Sequence, residues 1–297
     1  MILLTGATGF VGRHLLDTLK KKFSVRCLLR NKPSVNFSGC EMVYGDVSDR
    51  ESLFRATDNV DTVIHLAAVV YSVKPDYIYG VNVEGTKNLV HAAIKNKIKK
   101  FIYVSSAAVN FTHDCYSTSK REAENILVQS GLRTTILRPA EIFGEGDERG
   151  ITRLIYLVRN LPVIPVLGRG DYTFQPVYVE DVVFAITQCV ASQLENNKIY
   201  NIAGPLALTF NEMIDIISEL LRVKRLKIHL PISLIKSLVV LQEKFLLNPL
   251  ISSEQISRIT TYNKHWSIDD SIRDLGFNPL NFREGIRETI FKLGMAL

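Results

Sequence analysis

Short apolar runs alternate with stretches of helical periodicity through the first half of the chain. Ile2–Thr5, Val25–Leu29, Glu41–Tyr44, Thr62–Leu66, Phe101–Val104 and Thr134–Leu137 are predicted strands. Between them, Val11–Lys22, Val83–Asn96 and Ser119–Val128 carry apolar residues at helical spacing. Regular alternation of this kind implies an α/β fold with a parallel sheet covered on both faces. Right-handed crossovers make such a sheet doubly wound. After about residue 140 the pattern loosens, and Gly144, Gly146, Gly150, Gly168 and Gly170 punctuate it. Asn211–Leu221, Ile232–Leu247, Ser253–Thr261 and Phe282–Leu293 are predicted helices. The expected division is residues 1–165 for the main sheet and 166–297 for a smaller, mostly helical region interleaved with it. No internal repeat or low-complexity tract is present.

Composition narrows the partners. The chain has 297 residues, 46% hydrophobic and 22% charged, which is ordinary for a globular protein with a sizeable core. The net charge of +6 comes from scattered residues and short clusters such as Lys20–Lys22 and Lys97–Lys100. Clusters of this length read as solvated helix ends, so no nucleic-acid partner is expected. A basic rim favours an anionic small-molecule ligand. Cys27, Cys40, Cys115 and Cys189 form no CxxC pair and no zinc-type spacing, so no metal is expected and a reducing, cytoplasmic setting is the simplest reading. The first apolar run leads straight into a glycine turn, which leaves no room for a signal peptide. Residues 231–251 are broken by Lys236, Gln242, Glu243, Lys244 and Pro249. They read as amphipathic helix without stable membrane insertion, and contact with a membrane surface stays open, as does a homodimer.

The chemistry begins at the first strand. Leu3-Leu4-Thr5-Gly6-Ala7-Thr8-Gly9-Phe10-Val11-Gly12 runs from a strand through three glycines into a helix, spaced GxxGxxG. Gly6 permits the tight turn, Gly9 lets the backbone approach a pyrophosphate, and Gly12 lets the helix sit close to the strand. The helix N-terminus, with Thr8, Phe10 and Val11 in its approach, offers N–H groups and a positive dipole end to phosphates. This is the signature of a dinucleotide-binding Rossmann fold, and it makes the C-terminal region the substrate region. An acid about 20 positions on would hold a ribose 2′-hydroxyl and favour NAD. The second strand ends instead in Leu29-Arg30-Asn31-Lys32. Arg30 can fork onto a 2′-phosphate with Lys32 assisting, so NADP(H) is favoured over NAD(H); Arg30 on the adenine face is the other option.

Tyr116 and Lys120 stand four apart at the start of a helical segment and share one face. They follow the strand that ends at Ser105-Ser106, at the carboxyl edge where such sheets bind ligands. Taken together, the chain resembles the extended or atypical branch of the short-chain dehydrogenase/reductase superfamily, the NAD-dependent epimerase/dehydratase family. The resemblance also covers Gly45-Asp46-Val47, His65-Leu66-Ala67-Ala68, Val81-Asn82-Val83-Glu84-Gly85-Thr86, Val104-Ser105-Ser106, Tyr116-Ser117-Thr118-Ser119-Lys120, Leu137-Arg138-Pro139 and Pro176-Val177-Tyr178-Val179-Glu180-Asp181. It implies that Asp46 and Val47 hold the adenine, and that Leu66, Ala67 and Ala68 line the adenosine ribose. Val104 joins the cofactor contacts, and Pro139 lies near the nicotinamide. Ser106 would hydrogen-bond the substrate oxygen, Tyr116 would be the acid/base, and Lys120 would grip the nicotinamide ribose. The implied activity is hydride transfer to or from a sugar nucleotide or another small carbonyl or hydroxyl compound.

Two departures stand beside the resemblance. Nine residues separate Ser106 from Tyr116, fewer than in sugar-nucleotide epimerases of this branch. Those enzymes also tend to carry an arginine for the substrate diphosphate where Phe174 stands here, with Arg149, Arg153 and Arg169 as substitutes. The short loop and the Gln175-Pro176-Val177-Tyr178-Val179 run resemble atypical members that include relatives of the nucleotide-binding accessory subunit of respiratory complex I. A non-catalytic NADP(H)-binding scaffold or regulatory subunit is therefore the alternative reading.

Overall fold

The computed structural model describes residues 1–32, 37–111, 114–148, 150–192, 197–233, 235, 237, 239 and 265–295. In chain order the elements are β1 (Ile2–Thr5), α1 (Phe10–Leu19), β2 (Val25–Leu29), β3 (Glu41–Tyr44), α2 (Arg50–Ala56), β4 (Thr62–His65) and α3 (Pro75–Tyr79). A π-helical turn (Gly80–Glu84), α4 (Gly85–Lys95), β5 (Lys100–Val104), a 3-10 turn (Ala107–Asn110), α5 (Cys115–Gln129) and β6 (Thr134–Pro139) follow. Then come β7 (Ile142–Phe143), α6 (Ile151–Asn160), β8 (Val163–Leu167), β9 (Thr173–Phe174), β10 (Val177–Tyr178), α7 (Val179–Ala191) and β11 (Lys198–Ile202). The chain closes with β12 (Leu208–Thr209), α8 (Phe210–Leu220), β13 (Leu226–Leu230), α9 (Asp269–Leu275) and α10 (Phe282–Lys292).

These elements form two compact units. The first comprises Met1–Pro139, Glu180–Ile202 and Ile268–Phe277. Its parallel sheet has seven strands in the order β11-β6-β5-β4-β1-β2-β3, the expected doubly wound Rossmann arrangement. The order reverses between β1 and β4, the switch point at which such sheets bind ligands. All four residues of β1 are buried, because helices cover both faces and leave no polar side. Leu3, Val63, Phe101, Tyr103, Leu127 and Ile136 belong to one buried cluster.

The second unit comprises Ala140–Val179, Ala203–Ser267 and Asn278–Leu297. It carries three two-stranded pairings, β10 with β7, β12 with β9 and β13 with β8. The Phe143 ring packs against Tyr178 and Phe282 at centroid separations of 5.7 and 5.4 Å. Gly285 in α10 makes that possible, since a Cβ there would lie 2.6 Å from Phe143 Cζ. The buried Gln175 amide donates to the Gly204 and Trp266 carbonyl oxygens and accepts from the Trp266 N–H at 2.6 Å.

Several elements differ from the sequence expectation. The helix expected over Val83–Asn96 begins inside a π turn and continues as α4, and α3, which leads into that turn, was not anticipated. The turn places Asn82 inside, 1% exposed. α5 begins four residues before the expected Ser119, because the Asp114 carboxylate caps it by accepting from the Ser117 N–H at 2.9 Å. The seventh strand, β11, and helix α7 were not anticipated. α7 buries Val179, Val182, Val183, Ala185, Ile186 and Cys189, and the exposed Phe184 interrupts the polar stripe of Glu180, Asp181, Thr187 and Gln188 that would mark it as helix. Most of the predicted Ile232–Leu247 helix and all of Ser253–Thr261 lie outside the described residues; positions 232, 233, 235, 237 and 239 are helical.

One buried ion pair ties α5 to β6. Glu124 is 3% exposed and accepts from Arg138 Nε at 3.0 Å and from Arg138 Nη2 at 2.5 Å. Breaking a buried pair on one side leaves an uncompensated charge. Glu124→Gln is therefore expected to destabilise the chain by about 2–4 kcal/mol, read from urea unfolding; a change under about 0.5 kcal/mol would reject that role.

Candidate active site and dinucleotide cavity

β1 ends in a turn that brings backbone where side chains would obstruct. Gly6 has φ +77°, and a Cβ there would lie 2.7 Å from the Ala67 backbone N. A Cβ on Gly12 would lie 2.1 Å from the Gly6 carbonyl oxygen, so α1 can approach β1 only through glycine. The second glycine, Gly9, is the N-cap of α1. No side chain caps this helix, and its first turn has no acidic residue. Its N–H groups and positive dipole end are thus offered to an anion, which fits a pyrophosphate.

Beside this turn lies a cavity of about 490 Å³. Of the residues singled out for the cofactor, Gly6, Thr8, Gly9, Arg30, Asp46, Val47, Leu66, Ala67 and Ala68 line it. Phe10, Val11, Gly12, Val104, Tyr116, Lys120 and Pro139 are not among its lining, and neither is Ser106. Its lining is the one expected of the adenosine-diphosphate side of a dinucleotide site. Its lining includes Arg13 and Val81, which sequence reasoning missed, and Lys32. Arg13 was legible in principle: it is one residue past the third glycine, on the exposed side of the first helical turn. Arg30 stands exposed at the rim and donates to the Tyr77 hydroxyl at 3.2 Å. Asp46 accepts from the Ser48 N–H and hydroxyl at 2.8 and 2.7 Å, a local turn that holds its carboxylate.

A chain of buried hydrogen bonds runs behind the cavity. The Thr5 hydroxyl pairs with His65 Nδ1 at 2.7 Å, and His65 Nε2 pairs with Thr86 Oγ1 at 3.0 Å. Thr86 Oγ1 donates to the Asn82 carbonyl oxygen at 2.6 Å. Its one hydrogen is thereby used, so His65 Nε2 must donate to it, and Nδ1 must accept from Thr5. Only a neutral imidazole satisfies both. Burial, with the Lys120 charge nearby, lowers the His65 pKa to about 3. Further along, the Asn82 side chain accepts from the Val69 N–H at 2.7 Å and donates to the Val69 carbonyl oxygen and to Ser119 Oγ, each at 3.0 Å. Val69 lines the cavity, and Ser119 belongs to α5, so Asn82 clamps the cavity wall to the helix that carries Tyr116 and Lys120.

Lys120 is 1% exposed. Its ammonium donates to the Val104 carbonyl oxygen at 2.7 Å and sits 4.1 Å from the Tyr103 ring centroid. Burial lowers its pKa to about 7, and the Glu124 charge opposes that fall. Tyr116 is half-buried one turn earlier on the same helix. Ser106 ends β5's extension and caps the 3-10 turn by accepting from the Ala108 N–H at 3.2 Å. That contact uses one lone pair of the hydroxyl oxygen. Phe174 is 9% exposed and packs against the rings of Tyr172 and Phe210; it is a core residue of the second unit. Arg149 lies outside the described residues.

The His65 network carries a pH dependence. The folded value lies below the ordinary 6.5, so the folded state resists protonation. Above 6.5 neither state holds the proton, and below about 3 both do. Stability is therefore lost as pH falls from 6.5 towards 3, by an amount on the order of several kcal/mol. Urea unfolding across that interval should show a shallower loss for His65→Gln than for the native chain. Identical pH profiles would sink this account.

Comparison with known proteins places the chain in a family. The model of the NAD dependent epimerase/dehydratase family matches residues 2–203. N-acetyl-alpha-D-glucosaminyl-diphospho-ditrans,octacis-undecaprenol 4-epimerase of Escherichia coli O157:H7 is 32% identical over 251 residues, covering 77% of this chain and 75% of the relative. 3beta-Hydroxysteroid-dehydrogenase/decarboxylase isoform 1 of Arabidopsis thaliana is 27% identical over 97% of this chain and 78% of its own length. The solved structure of MoeE5 with UDP-glucuronic acid and NAD superposes with a TM-score of 0.79 at 23% identity, covering 99% of this chain and 98% of that one. The chain belongs to the NAD dependent epimerase/dehydratase family and is an enzyme of that family.

Proposed function

We propose that this enzyme moves hydride between NADP(H) and a carbon bearing a hydroxyl or carbonyl group on a sugar nucleotide or another small compound. The observation that carries the reading is the buried Lys120 ammonium at the carboxyl end of β5, one helical turn from Tyr116. An ammonium has three donors and makes one hydrogen bond here among the described residues. The others suit the hydroxyls of a nicotinamide ribose. When bound, the nicotinamide supplies or takes up hydride at the substrate carbon. Tyr116 gives the substrate oxygen a proton on reduction and takes it on oxidation. A tyrosine ordinarily titrates near 10, and the Lys120 charge favours its phenolate. Ser106 donates its remaining hydroxyl hydrogen to the same oxygen.

The preference for NADP(H) rests on charge. Arg13, Arg30 and Lys32 line the cavity against one carboxylate, Asp46, which Ser48 already engages. That excess of cations suits the additional 2′-phosphate. The named substrates of the relatives support the substrate class. The E. coli relative is an epimerase of a diphosphate-linked amino sugar, MoeE5 holds UDP-glucuronic acid, and the Arabidopsis relative is a hydroxysteroid dehydrogenase. All three names describe a ring carbon bearing hydroxyl groups.

A screen of UDP-sugars and cyclic ketones, followed by NADPH absorbance, supplies the assay. Tyr116→Phe should then lower turnover by about 10²–10⁴-fold with little change in cofactor affinity. Lys120→Ala should lower both. A Tyr116→Phe enzyme at the native rate would overturn the mechanism, and tight NADP(H) binding with no turnover anywhere in the screen would favour the scaffold reading. Arg30→Ala should weaken NADP(H) by about 1.5–3 kcal/mol and leave NAD(H) unchanged in calorimetry. Equal losses for both would remove Arg30 from the 2′-phosphate.

A further inference from the structure

At the edge of the main sheet, two thiols that no part of the mechanism uses lie against each other. Cys27 is in the middle of β2 and fully buried; Cys40 ends the turn before β3 and is partly exposed. Their sulfurs are 3.7 Å apart, and Cys40 Sγ also donates to the Phe37 carbonyl oxygen at 3.1 Å. In the chain between them stand Leu28, Leu29, Arg30, Asn31 and Lys32, all of which line the cavity.

We propose that Cys27 and Cys40 are an oxidation site that closes to a reversible intramolecular disulfide, and that this bond restrains the cavity wall carrying Arg30, Asn31 and Lys32. The coupling to the cavity rests on the dinucleotide reading above; the bond itself does not. Bonded sulfurs lie about 2 Å apart, so the pair closes by roughly 1.7 Å. The turn before β3 is the element that would take up that shift. Gly39 sits there at φ +84°, and the nearest group to its Cβ position is the flexible Lys20 side chain at 3.8 Å.

The two thiols have different parts. Burial first, and then the neighbouring Cys40, raise the Cys27 pKa, so the more exposed Cys40 reacts first. With hydrogen peroxide as oxidant, the Cys40 thiolate attacks one oxygen. An S–O bond forms, the O–O bond breaks, and the leaving hydroxide takes up the proton that Cys40 released, giving water. The Cys27 sulfur then attacks the Cys40 sulfur. The S–S bond forms, the S–O bond breaks, and the Cys27 proton leaves with the hydroxyl as a second water. The two thiols lose two electrons and peroxide gains them; exchange with a dithiol reverses the change. Closing a ring around the wall lowers its freedom, so dinucleotide binding pays less ordering.

The test treats the whole chain with hydrogen peroxide, alkylates the remaining thiols and maps peptides by mass. A Cys27–Cys40 linked peptide, absent after dithiothreitol and absent in Cys27→Ser and Cys40→Ser, is the expected result. Over-oxidised Cys40 without that peptide overturns the site, as does linkage to Cys115, Cys189 or a second copy. Calorimetry with NADP⁺ then compares the two redox forms. The linked protein should bind at least about threefold more tightly, and peroxide-treated Cys40→Ser should be unchanged. Equal or weaker binding by fully linked protein overturns the coupling. No NADP⁺ binding in either form overturns the dinucleotide reading and the coupling with it, while the linked peptide still decides the oxidation site.

Discussion

The buried hydrogen-bond chain from Thr5 through His65, Thr86 and Asn82 to Ser119 is the constraint on which the site depends. It joins β1, β4, α4, the π turn and α5, five elements that the hydrophobic core alone would hold only loosely in angle. Apolar packing is non-directional, whereas each of these hydrogen bonds fixes an atom against another. The cost of leaving any member unpaired is high where water is excluded. A neutral His65 in one tautomer is the linchpin, because only that form accepts from one threonine and donates to the other.

This chain also explains why the main sheet tolerates an irregular helix. A π turn is rarely retained without a local reason. Here the extra residue turns Asn82 inward, where its amide grips both backbone groups of Val69 and the Ser119 hydroxyl. The cavity wall and the helix bearing Tyr116 and Lys120 are thereby positioned from one side chain. Lys120 completes the arrangement in a different way. Its charge is buried on a single carbonyl and an aromatic face, and the Glu124–Arg138 pair lies one turn beyond it. Burial strips its hydration and makes it responsive to whatever enters beside it.

Much of the cofactor side was legible in the chain itself. The GxxGxxG turn is local: strand, glycines and helix are contiguous, and each glycine answers a backbone requirement that acts over a few residues. Five of the six predicted strands hold for the same reason, since a strand covered on both faces is a largely apolar run; the sixth, β3, is an exposed edge strand. Arg13 escaped notice though it is adjacent to Gly12, because only the direction of α1's first turn shows that it borders the cavity. The seventh strand escaped because it is an edge strand of mixed polarity in which only Tyr200 and Ile202 are buried, and α7 because the exposed Phe184 interrupts its polar stripe.

What the sequence by itself determined was the fold class and the glycine turn after β1, and it singled out Ser106, Tyr116 and Lys120 as candidates, all from residues close together in the chain. Only the tertiary structure decided how those parts are held. Thr5, His65, Thr86, Asn82 and Ser119 are ordinary polar residues in sequence, and Cys27 and Cys40 have no recognisable spacing. Their meaning arises when the fold brings them within reach of one another, across separations as long as the 60 residues between Thr5 and His65. A buried polar group is costly alone and stabilising only with its partner in place, and the partner is supplied by topology.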